Sequence, residues 1–196
     1  MVPPFIFWQQ QPCHHEPAMK QLTKGVGNVE NSYGGNSMIF VQAHCGSAPS
    51  DRIASMDAVK LFAEANGCAY ERVELPAQDT PRLACVASDN YRMARACTDP
   101  DMVWVDWDIE IKALPVLENG KPAFAFMAGS PPQPECCYFY VNGCCGFFKD
   151  LLTERDRRGI LPTVYGWPQK VLRDKMVSVI PADTYIHKYV TLSKGA

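Results

Sequence analysis

The sequence has no apolar run approaching the roughly 20 residues that cross a bilayer. Its first residues have neither the basic cluster nor the long apolar core of a secretory signal. A chain with neither feature is expected in the cytoplasm. It also has little net charge: 19 Lys and Arg against 21 Asp and Glu leave a formal charge of −2. These charges are interspersed, so no groove carries the field that would gather a polyanion, and nucleic acid is excluded as the expected partner. The densest basic stretch, Arg155 with Arg157 and Arg158, is broken by Asp156 and preceded by Glu154, as on a solvated helix face. No pair of cysteines has the CxxC spacing of a zinc hook, although the chain has nine cysteines. Reduced thiols are the expectation, and Cys13-His14-His15 could bind a metal only adventitiously. Repeats and low-complexity tracts are absent.

What remains is an ordinary globular composition, 47% hydrophobic and 20% charged over 196 residues, enough to enclose the core of one domain spanning 1–196. Pro4 to Trp8 reads as a short buried strand, residues 25–36 as a Gly- and Asn-rich loop, and Met38 to Ala43 as a second strand. Ser50 is placed to cap a helix over Asp51 to Asn66, where Ile53, Met56, Val59 and Phe62 recur every three residues and Asn66-Gly67 supplies the stop. Tyr70 to Leu75 alternates as a strand does. Thr80-Pro81 then puts a cap before a proline at the first helical position, opening a helix to Ala96. Strands are expected at Met102 to Val105, Pro122 to Met127, Tyr138 to Val141 and Val177 to Ile180, with helices at Phe147 to Arg158 and Gln169 to Lys175. Alternating strands and helices imply an α/β domain whose mixed sheet is mostly parallel and flanked by helices.

The residues that carry chemistry cluster around Asp106-Trp107-Asp108. Two carboxylates one residue apart, where a buried strand emerges, can both reach a hard divalent cation, one directly and one through water or a ligand hydroxyl. A cation there suits a diphosphate and neutralises the charge that builds on a departing nucleoside diphosphate. In the preceding helix Asp89 and Arg92 are three residues apart and share one face. Such a pair is ordinarily a surface ion pair worth well under ~1 kcal/mol, so replacing Arg92 should leave the fold intact.

Taken together, Ser88-Asp89-Asn90-Tyr91-Arg92 on a helix and Val103-Trp104-Val105-Asp106-Trp107-Asp108 at a strand end resemble the DXD sugar-binding region of a glycosyltransferase group. That group includes yeast initiating mannosyltransferases, capsular polysaccharide enzymes and clostridial toxin glucosyltransferase domains. Asp99-Pro100-Asp101 stands where the family usually has a glycine pair. The resemblance implies a glycosyltransferase-A fold, Rossmann-like, with the nucleotide at the carboxyl ends of the strands. It implies a catalytic centre of Asp106, Asp108 and Arg92. Asp89 and Arg92 would hold the donor sugar and its diphosphate, Asp106 would contact ribose or sugar, and Asp108 would bind manganese or magnesium. Phe5-Ile6-Phe7-Trp8 is similar to the family's first strand, whose tryptophan stacks on the nucleotide base, while a core position accounts for Trp8 equally well. Ile186-His187-Lys188 is similar to the family's late histidine beside the metal. Asn142-Gly143 is a candidate for the acceptor wall, though turn chemistry explains the pair equally well.

The function implied is transfer of a hexose, with retention, from a nucleoside diphosphate sugar to a hydroxyl of a saccharide or protein acceptor. A non-catalytic domain of the same fold that binds sugar nucleotides or proteins is the alternative. A phosphohydrolase with Asp106 as nucleophile is weaker, because such enzymes place Thr or Val where Glu110 stands.

Overall fold

The computed structural model describes residues 38–127 and 133–188, all within the compact unit spanning 35–196. Pro4 to Trp8, the loop at 25–36 and Cys13-His14-His15 lie outside these described residues. The described elements run β1 (Ile39–Cys45), α1 (Ser50–Ala65), β2 (Ala69–Leu75), α2 (Pro81–Ala96), β3 (Met102–Val105), β4 (Ile109–Ile111), β5 (Ala123–Met127), β6 (Gln133–Tyr140), α3 (Cys145–Arg157), α4 (Trp167–Leu172), β7 (Ser178–Val179) and β8 (Tyr185–His187).

Six strands form one sheet in the order β2-β1-β3-β6-β5-β7. β1 is parallel to β2 and β3, and β5 is parallel to β7. β6 alone is reversed, pairing antiparallel with both β3 and β5. The sheet is therefore mixed and mostly parallel, as the alternation of elements predicts. β3 is central and buried along its whole length, so its side chains alternate between two apolar layers. Met102 and Trp104 join Met93 and Ala96 of α2, Phe148 and Leu151 of α3, and Trp167, Val171 and Leu172 of α4. Val103 and Val105 join Val59 and Ala63 of α1 and Ile109 and Ile111 of β4 on the other face.

Local signals explain most boundaries. Thr80 caps α2, its Oγ1 accepting from the Leu83 amide at 3.2 Å, and Pro81 occupies the first turn. α1 starts one residue earlier than expected, at the residue expected to cap it. Ser50 is already helical, and Pro49, with φ fixed at −59°, fills the flanking extended position without a side-chain cap. Met56, Val59 and Ala63 are the buried stripe of α1, whereas Ile53 is 39% exposed. β6 starts well before Tyr138 because Gln133, Pro134 and Glu135 extend it with a polar beginning that periodicity does not reveal. α4 starts at Trp167, ahead of the expected Gln169, since Pro168 suits a first turn and Gly166 takes the left-handed φ of 65° before it.

A second, two-stranded sheet of β4 and β8 was not foreseen from sequence. Its strands are three residues each and pair antiparallel, with Ile109 opposite His187. This small sheet brings the end of the described chain back to the end of β3.

Candidate active site

Asp106 is the first residue beyond β3, and its backbone is still tied to the sheet: its amide donates to the Cys137 carbonyl at 2.7 Å. The side chain follows the parity of Trp104 and lies on the α2 face. Trp104 Nε1 donates to Asp106 Oδ1 at 2.7 Å, and Arg92 Nη1 reaches both carboxylate oxygens at 3.1 and 3.2 Å. The other arm of Arg92, Nη2, is paired with Asp89. Arg92 and Asp89 are 5% and 2% exposed, so this pair is a buried network and not the surface pair that its spacing suggests. Burial works against the Arg92 charge, but Asp106 and Asp89 outweigh it and raise its pKa further above the usual arginine range. Burial pushes the Asp106 carboxyl up to about 6, helped by Asp108 and Asp89 and opposed by Arg92 and the Trp104 N–H.

The chain then turns. The Ile109 amide donates to the Asp106 carbonyl at 3.1 Å, and this tight turn sends Asp108 to a different set of partners. His187 Nε2 lies 3.0 Å from Asp108 Oδ2. The contact is held by the small sheet, because the Lys188 amide donates to the Asp108 carbonyl at 2.9 Å next to the Ile109–His187 register pair. The opposite ring nitrogen, Nδ1, is 3.6 Å from Glu135 Oε2. His187 is thus between two carboxylates. Their hydrogen bonding, Asp108 first and Glu135 second, raises its pKa to about 10 against the opposing effect of burial. Cys137 completes the group by donating its thiol to Glu135 Oε2 at 3.3 Å. Burial and the neighbouring Glu135 hold that thiol well above the usual range.

Four of the residues expected at the site, Asp89, Arg92, Asp106 and Asp108, are therefore brought together with His187 at one end of β3. The expectation that both carboxylates turn to one cation is modified, since Asp106 is committed to Arg92 and Trp104 while Asp108 faces His187. Asn142 goes elsewhere. It follows antiparallel β6, whose far end lies beside the start of β3, with the Val141 amide on the Met102 carbonyl at 3.0 Å. With φ at 50°, its side-chain amide donates to the carbonyls of Glu118 and Lys121, both at 2.8 Å. Asn142 is thus a turn-fastening residue at the opposite end of β3 from Asp106, and not a wall of this site. Trp8 lies outside the described residues.

Sequence reasoning did not single out Glu135, Cys137, Arg52, Ser55 or Lys188. Glu135 and Cys137 are two apart on β6 and so share a face; that parity is the one signal that could have flagged them. Arg52 and Ser55 come from the first turns of α1. The Arg52 guanidinium lies 4.4 Å from the centre of the Trp107 ring, and Ser55 Oγ donates to the Trp107 carbonyl. Lys188 Nζ donates to Ser55 Oγ at 3.2 Å. Two cationic side chains are therefore held around the Asp106-Trp107-Asp108 turn.

No family model matches this chain, and no curated protein does. Among solved structures, it is similar to the crystal structure of a glycosyltransferase involved in the glycosylation of the major capsid of PBCV-1, with a TM-score of 0.53 at 12% identity. The match covers 74% of this chain and 81% of that one. At such identity the likeness concerns the fold. The mixed six-stranded sheet with helices on both faces is a glycosyltransferase-A-like fold.

Proposed function

We propose that the chain is a metal-dependent glycosyltransferase that moves a hexose from a nucleoside diphosphate sugar to an acceptor hydroxyl with retention of configuration. The observation that carries this reading is the divided carboxylate pair. At the end of β3, Asp106 is locked by Arg92 and Trp104, while Asp108 is 3.0 Å from His187. Ligands of open α/β sheets bind at the carboxyl ends of the strands, which is where this pair stands.

The donor set fits a divalent cation such as manganese or magnesium. Asp108 offers carboxylate oxygen and His187 an imidazole nitrogen, and the imidazole already holds a positive charge between two carboxylates when protonated. A bound cation supplies Lewis-acid stabilisation of the diphosphate leaving group. The chain's own residues do the rest. Arg92 acts through Asp106: its buried guanidinium fixes the carboxylate that would meet ribose or sugar, and Asp89 fixes Arg92 in turn. Arg52 and Lys188 stand beside the motif as positive partners for the diphosphate. The acceptor is a saccharide or protein hydroxyl. Asp106 as a phosphohydrolase nucleophile is disfavoured, since its oxygens already accept from Arg92 and Trp104.

Calorimetric titration with UDP, GDP and their hexose conjugates, with and without manganese, tests the reading. Manganese-dependent binding of one nucleotide, followed by donor consumption in the presence of an acceptor, is expected. Binding without turnover on any acceptor would favour a sugar-nucleotide-binding domain, and binding of none would overturn the proposal.

A further inference from the structure

Glu135, Cys137 and His187 form a second group, of which the transferase reading uses His187 but neither Glu135 nor Cys137. Their oxygen, sulfur and nitrogen donor atoms all lie within 4.8 Å of one another. Two edges of this triangle are shorter: 3.3 Å from Cys137 Sγ to Glu135 Oε2, and 3.6 Å from Glu135 Oε2 to His187 Nδ1. Tetrahedral zinc with ligand bonds of about 2.0–2.3 Å sets its ligands roughly 3.5 Å apart. These two edges therefore need little adjustment to accept such an ion, and the sulfur to nitrogen edge is no longer than 4.8 Å.

The surroundings point the same way. A histidine that binds zinc through one ring nitrogen commonly donates its other N–H to a carboxylate, which fixes tautomer and ring orientation. Here Asp108 Oδ2 receives His187 Nε2 at 3.0 Å, leaving Nδ1 to face Glu135 and Cys137. The backbone that supplies the donors is well anchored. Glu135 and Cys137 share one face of β6, the Cys137 carbonyl holds the Asp106 amide, and β8 is paired to β4 beside them. Cys137 and Glu135 are 8% and 9% exposed, so an ion reached from the His187 side would be largely shielded from water.

We infer that Cys137, Glu135 and His187 through Nδ1 form a binding site for a thiophilic divalent cation of the zinc class, on the opposite edge of the His187 ring from Asp108. Sulfur is a poor partner for magnesium or calcium and a good one for zinc, and the mixed set of thiolate, imidazole and carboxylate selects accordingly. The thiol proton leaves to solvent as the ion enters. With the ion on Nδ1, Nε2 keeps its proton for Asp108, so Asp108 meets any donor-bound metal without His187. The inference shares only His187 with the transferase reading, where Asp108 is then left as the cation's protein donor, and it concerns a site that requires no nucleotide.

The test uses the full chain, stripped with a chelator, kept reduced and titrated with cobalt(II). Sulfur ligation gives a thiolate-to-cobalt charge-transfer band in the near ultraviolet. The band is expected in the unaltered chain, lost in Cys137→Ser and kept in Cys136→Ser, whose sulfur belongs to the layer on the other face of the sheet. Glu135→Gln preserves shape and guards against a serine variant that fails to fold; it should weaken zinc affinity by at least about tenfold. No band from the folded chain, a band that survives Cys137→Ser, or zinc affinity unchanged in Glu135→Gln would overturn the inference. Nucleotide binding is read separately and decides only the transferase proposal.

Discussion

The two carboxylates of the Asp106-Trp107-Asp108 motif are one residue apart in sequence and belong to different kinds of environment. Asp106 sits in a closed ionic network whose partners, Arg92 and Asp89, are nearly inaccessible. Asp108 belongs to a partly open group whose histidine stands between two carboxylates. In the first region one guanidinium is shared by two carboxylates, and the contacts serve positioning. In the second, the positive charge comes from a proton on His187, which a cation can replace. One motif thus supplies rigidity on the α2 face and exchangeable charge on the face where β8 lies.

The largest effect is expected from the closed region. Arg92→Ala leaves Asp89 buried without its countercharge and should destabilise the chain by about 3–5 kcal/mol in a denaturant titration. Loss of less than about 1 kcal/mol would return Arg92 to the status of a surface partner and dissolve the contrast. In the open region, Asp108→Asn should abolish manganese-dependent nucleotide binding in calorimetry while the cooperative unfolding transition persists. Unchanged binding would remove Asp108 from the site.

The contrast also has a pH signature. His187 titrates near 10 in the folded chain against 6.5 for an ordinary histidine. Its stabilising contribution is therefore complete below about 6.5 and is lost as pH rises through about 10. In metal-free buffer, the stability of the unaltered chain should fall across that window relative to His187→Gln. Parallel curves would mean that the two carboxylates do not hold the proton. The smallest effect concerns the helix that delivers Asp89 and Arg92: Thr80→Ala should cost about 1 kcal/mol through the lost cap, with nucleotide affinity unchanged.

Sequence reading served the two regions unequally, and the reason is the range of the interactions. α2 was readable to its ends because Thr80, Pro81 and the Asp89–Arg92 spacing are local signals. Met102–Val105 was equally plain as an apolar run. What periodicity cannot report is depth, so the spacing of Asp89 and Arg92 suggested a surface pair where the fold makes a buried one. The β4–β8 sheet left no pattern, since two three-residue strands are shorter than a period can be recognised over. His187 is marked by the resemblance alone, and Glu135 lies in the early part of β6, from Gln133 on, which periodicity does not mark as strand. Asn142 misled because Asn-Gly marks a turn without saying at which end of the sheet the turn falls.

The β4–β8 pairing also sets an order of events in the life of the chain. Asp108 and His187 are separated by 79 positions, so during synthesis the aspartate emerges long before its partner exists. Closing so long a loop has an entropic cost that the folded sheet must already offset. The Arg92–Asp106 clasp, which spans 14 positions, can close while later residues are still being made. The Asp108 group cannot be held together until the last described strand has been made and docked, whereas the Arg92–Asp106 contact does not involve that strand.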